Sequence, residues 1–158
     1  MSLTAVTPWW LCNAMRFRFI DRVVSLERGA ASKLVVAKSF PLSDEFTVGH
    51  PQRPGEIPTC LILEALATSG VRLVYAHTDE QVVGVLMKVE EAKILSSVRA
   101  GEEVVVHTEL IGLQPAAMDS VGLARTHGQA FVGERLVAEG RLVLLCFSKT
   151  GFEISLPW

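Results

Sequence analysis

The stretch TCLILEALATSGVRLVYAH, running from Thr59 to His77, is apolar almost all the way round, and it constrains the fold more than any other part of the chain. Pro58 and Thr59 suit a helix start. A helix with no polar face has to be surrounded, so it belongs inside a core. Between Thr59 and Val71 the only formally charged side chain is Glu64, set among Leu61, Ile62, Leu63, Ala65, Leu66 and Ala67. A carboxylate buried there without a partner costs several kcal/mol, so it has to be paired, protonated or turned to a cavity. Two readings follow. Glu64 offsets the helix macrodipole near the N-terminus, or it is a functional acid whose pKa is raised by an apolar pocket.

The material available to surround such a helix is strand-like. In Arg16 to Leu26, Phe17 and Phe19 alternate with Arg16 and Arg18, and Glu27-Arg28-Gly29 then turns the chain into a second strand over Lys33 to Lys38. After the helix come Val82 to Val89, Glu102 to Ile111, and the pair Ser120 to Phe131 and Arg135 to Phe147, joined at Gly133-Glu134. Val104, Val106, Thr108 and Leu110 alternate with Glu103, His107 and Glu109, as a sheet with one wet face requires. The order is two strands, one buried helix, then four antiparallel strands. The aperiodic stretch from Phe40 to Ile57, rich in Pro, Gly, Asp and Ser, is expected to be a loop of functional length. Residues 1–15 are expected to form an N-terminal extension and 16–158 a single domain.

Several function classes are disfavoured by composition. Fifteen Lys and Arg against 17 Asp and Glu leave a formal charge of −2, without the basic excess that phosphate neutralisation demands, so no nucleic-acid partner is expected. Cys12, Cys60 and Cys146 form no CxxC pair and are odd in number, which argues against a disulfide framework or a cysteine zinc site and suits a reducing cytosol. The opening MSLTAVTPWWLCNAM lacks a basic n-region and contains Pro8, so it reads as neither signal peptide nor membrane span. His77, His107 and His127, with His50, show no metal-ligand spacing. His107 is expected to face solvent, His77 to lie at the helix end, and Cys60 to be a small buried hydrophobe rather than a nucleophile.

His50 lies in GHPQRPGEIP, where Pro51 biases it toward extended torsions and Gly49 leaves room beside it. Together with the helix start, GHPQRPGEIPTCLILEALA resembles the signature of the (3R)-hydroxyacyl-[acyl-carrier-protein] dehydratases, and the fourteen positions from His50 to Glu64 match that family's spacing. Weaker similarity extends to RFRFIDRVVSLERG and VRAGEEVVVHTELIG. The resemblance implies an α+β hot-dog fold, an antiparallel sheet wrapped around one long central helix. It also implies catalysis by His50 and Glu64 from opposite subunits of a homodimer, with the amides of Thr59 and Cys60 holding the thioester oxygen. The substrate is then carried on phosphopantetheine, from acyl carrier protein or as a coenzyme A thioester, and no metal or other cofactor is required. Arg53 either meets the phosphopantetheine or is a solvated loop arginine. The chain departs from the family at Pro51 (usually Phe), at Gln52-Arg53-Pro54 (usually Pro-Gly-Arg), at Thr59 (usually Gly) and at Thr68 (often Gln). Cys60 fits the decanoyl branch and Glu64 the long-chain branch. A hot-dog thioesterase and a non-catalytic carrier-binding subunit are the alternatives.

Overall fold

A computed structural model describes residues 18–41, 55–114 and 121–149. Six strands, β1 (Arg22–Glu27), β2 (Lys33–Ser39), β3 (Val82–Ile94), β4 (Glu103–Gln114), β5 (Gly122–Val132) and β6 (Arg135–Ser148), accompany one helix, α1 (Thr59–His77). All pairings are antiparallel, and the sheet order is β1-β2-β4-β5-β6-β3. This is the expected two strands, helix and four strands.

The sheet buries alternate side chains against the helix. Val104, Val106, Thr108 and Leu110 of β4 point inward, while Glu103 and His107 are exposed. Inward residues of β2, β5 and β6, including Val36, Ala124, Ala130, Leu142 and Leu144, complete the core around Ala65, Leu66 and Leu73 of α1. Leu66 sits where the sheet carries no side chains. A Cβ on Gly128 would lie 2.8 Å from its Cδ2, and one on Gly140 3.8 Å from its Cδ1. A buried hydrogen bond between the Ser69 and Thr108 hydroxyls, 2.7 Å long, joins helix to sheet.

Several element bounds differ from the periodicity, and β4 runs on to Gln114, three residues past Ile111. The first strand begins at Arg22; Asp21 before it donates its N–H to Ala37 O at 2.9 Å, and its carboxylate accepts from Lys38 Nζ (3.0 Å) and Ser39 N (2.7 Å). Residues 16 and 17 lie outside the described part. β3 runs five residues past Val89, where both faces are exposed and alternation carries no information. Pro58 is the N-cap, with no side-chain capping bond, and Thr59 is the first helical residue. Pro58 lacks an N–H to leave unsatisfied, so it is tolerated there.

β3 is the free edge of the sheet beyond β6, and it is irregular. Its pairing with β6 shifts register between Leu86 and Lys88 and again between Val89 and Glu91, the mark of β-bulges. Val85, Met87 and Val89 of this edge are 42%, 53% and 41% exposed.

Candidate active site

The helix start is built for polar chemistry. The first amides of a helix have no intrahelical acceptor and carry the positive end of its dipole. In α1 these include Thr59 and Cys60, whose residues are both exposed. Thr59 also lines a small cavity of about 80 Å³, closed by Ile62 of the helix, Ile94 of β3, Ser96 and Val98 of the turn that follows, and Val137 of β6. β3 thus runs antiparallel to the helix. Its end faces Ile62 across the cavity, and its start reaches Val71, where a Cβ on Gly84 would lie 3.7 Å from Cα.

Glu64 is the sixth helical residue, beyond the first turn, which contains no acidic side chain. The dipole effect falls off within that turn, so the macrodipole does not account for Glu64. Nor does an apolar pocket enclose it within one chain. Glu64 is exposed, and its Oε1 accepts from Thr68 Oγ1 at 3.4 Å. Cys60 is likewise exposed, contrary to the expected burial. The exposure of both has one cause. Cys60, Glu64 and Thr68, at intervals of four, lie along a flank of α1 that the sheet leaves open, with half-buried Leu63 and Val71 beside them. The helix is apolar almost all round, but the described residues cover only part of it.

The structure therefore brings Thr59, Cys60 and Glu64 onto one helix end and flank. His50 and Arg53 lie outside the described residues. His107 is exposed and stacks edge-on with Phe131, while His77, in the last helical turn, shares a 2.8 Å hydrogen bond with the buried Ser32 hydroxyl. Burial pushes the thiol of Cys146 above its usual range. Among the described residues no three His, Cys, Asp or Glu side chains are grouped to share a metal ion. Periodicity passed over the Ser96–Glu102 turn, whose signal is the non-alternating SSVRAGE, although its serines wall the cavity.

No protein-family model matches the chain. Among curated proteins it is similar to the 3-hydroxyacyl-[acyl-carrier-protein] dehydratase FabZ of Anaeromyxobacter sp., 35% identical over 119 residues that span 72% of this chain and 73% of that one. The FabZ of Nitratiruptor sp. is 30% identical over 142 residues, covering 84% of this chain and 89% of the relative. The chain belongs to the FabZ dehydratase family. Solved structures agree on the hot-dog fold. A putative thioesterase, yhdA from Lactococcus lactis, superimposes with a TM-score of 0.63 at 11% identity, covering 81% of this chain and 94% of its own. A hot-dog-like protein from Thermanaerovibrio acidaminovorans gives 0.59 at 18% identity, with 79% and 86% covered. One fold can serve more than one chemistry.

Proposed function

We propose that this protein dehydrates a (3R)-hydroxyacyl thioester, carried on acyl carrier protein or coenzyme A, to the trans-2-enoyl thioester in fatty-acid or polyketide-like synthesis. The observation that carries this reading is the placement of Glu64 on the open flank of α1, just past the free amides of Thr59 and Cys60, in a chain of the FabZ family.

His50 removes the α-proton as general base, a task suited to a side chain that titrates near neutrality. The Thr59 and Cys60 amides hold the thioester oxygen as negative charge develops on it. The C–O bond at the β-carbon then breaks, and Glu64 gives its proton to the departing hydroxyl, which leaves as water. Arg53 meets the phosphopantetheine arm. A second copy of the chain covers the open flank and encloses Glu64. What supports this is an edge strand with exposed Val85, Met87 and Val89, since an uncovered apolar edge invites another strand.

The test incubates the protein with 3-hydroxyacyl and saturated acyl thioesters and follows enoyl and free-thiol products separately, with light scattering on the same preparation. Enoyl formation by a particle of twice 17.2 kDa or a multiple of it, reduced about 10²–10⁴-fold in His50→Ala, is the expected result. Thiol release without enoyl product would assign a thioesterase. Neither product would assign a carrier-binding subunit, and a monomer active at micromolar concentration would refute the shared site.

A further inference from the structure

Both ends of the segment that carries His50 are tied to one short turn. Gly101 N donates to Phe40 O at 2.7 Å, which fixes the chain where it leaves β2. Ala100 N donates to Gly55 O at 2.9 Å, and Ile57 N to Val98 O at 2.8 Å, which fixes it where it enters the helix. Four consecutive residues, Val98 to Gly101, therefore hold both the exit from β2 and the entry to the helix. Gly101 holds φ 92° and Gly55 φ 80°, torsions that favour glycine, so both attachments depend on a defined backbone shape.

That turn is held from its other side by Arg135, the first residue of β6. Its Nη1 donates to Ser96 Oγ and, at 2.7 Å, to Ser97 O, while Nη2 donates to Glu102 Oε1 at 3.0 Å. The second carboxylate oxygen of Glu102 accepts from Arg99 N at 2.7 Å, inside the turn. Leu95 N and Ser96 N both reach Val137 O, two residues beyond Arg135. One guanidinium thus meets a hydroxyl, a carbonyl and a carboxylate spread over the turn, an arrangement suited to its planar fork and unsuited to the single point charge of a lysine. Ser96, Ser97 and Val98 also wall the cavity beside Thr59, so the same turn borders the helix amides.

We propose that Arg135 is a positioning residue for the reaction: by holding the Ser96–Glu102 turn it fixes the helix start that presents the Thr59 and Cys60 amides. The functional half of this inference rests on the dehydratase reading above. Misplacement by about 1 Å at a reacting group can cost on the order of 10² in rate. Arg135 is partly exposed and touches no reacting atom, so its loss is expected to leave the fold and the melting temperature nearly unchanged.

The experiment compares Arg135→Met, Arg135→Lys and Arg28→Met with the parent by hydrogen exchange and by enoyl-forming kinetics. Arg28, paired with Asp79 after the helix C-terminus, is a control of similar exposure far from the turn. Arg135→Met is expected to accelerate exchange at Ile57, Ala100 and Gly101 while sparing the β5–β6 ladder, and to lower kcat about 10–10²-fold with KM moved less. Arg135→Lys should recover only part of either effect, and Arg28→Met should show neither. Unchanged exchange in Arg135→Met overturns the clasp regardless of activity. Accelerated exchange with kcat intact in an active parent overturns the positioning role, as does full rescue by lysine, which would reduce Arg135 to a charge. If the parent forms no enoyl product, the dehydratase reading fails and takes the positioning role with it, while the exchange result still decides the clasp.

Discussion

The two sides of α1 have different standing in the molecule. On the sheet side, Ala65, Leu66 and Leu73 are fully buried, and Gly128 and Gly140 keep clear the space that Leu66 occupies. On the other side, Cys60, Glu64 and half-buried Thr68 line a flank that the described residues leave open. Residues of one helix thus divide into a finished core and an unfinished surface. The first holds the fold, and the second is where a ligand or a second chain can act without disturbing it.

Thiol labelling should separate the two sides most widely. Cys146 of β6 is fully buried and its thiol is held neutral by burial, so it reacts only when the structure opens; Cys60 reacts directly. Labelled peptides read by mass spectrometry at low chain concentration should show a rate ratio above about 10³, the lower end of ordinary folding equilibria. Comparable rates would mean that β6 is not core. Slower labelling of Cys60 as chain concentration rises would sharpen the comparison, because a second copy would then be covering the flank.

Next in size is the truncation of the buried side. Leu66→Ala should lower unfolding free energy in urea by about 2–5 kcal/mol, since the two glycines opposite leave nothing to collapse into the gap. A loss below about 1 kcal/mol would show that the helix is not held mainly by that face.

On the open side the effect should appear in rate and not in stability. Glu64→Gln should lower enoyl formation by about 10² or more and leave the melting temperature equal to or above the parent's, because the amide keeps the shape without a charge to bury when the flank is covered. A destabilised variant with full turnover would break the assignment of Glu64 as the acid.

The difference between the two sides also explains what could be read in the residues before any coordinates. The helix bounds and strand order follow from periods of 3.6 and 2, which persist wherever a residue faces the core, as at Val104, Val106 and Leu110. The exposure of Cys60 is not legible in the sequence, because an apolar run records that a surface is to be covered, not by what. The carboxylate of Asp21 meets Lys38 and Ser39, seventeen and eighteen residues away, a contact that no local pattern encodes. Arg135 was passed over for the same reason, since its partners lie 33 to 39 positions upstream.

The two bulges of β3 carry a consequence for the protein in a crowded cell. A straight thirteen-residue edge with exposed valines and a methionine would template the addition of almost any extended chain, the route to fibrous aggregates. Each bulge inserts an unmatched residue and a local twist, so a foreign strand laid along this edge loses its ladder within a few residues. A strand bearing the same kinks in mirrored order can follow the contour, and the chain most certain to carry one is another copy of itself. The irregularity thus limits pairing along this edge to strands that share its contour.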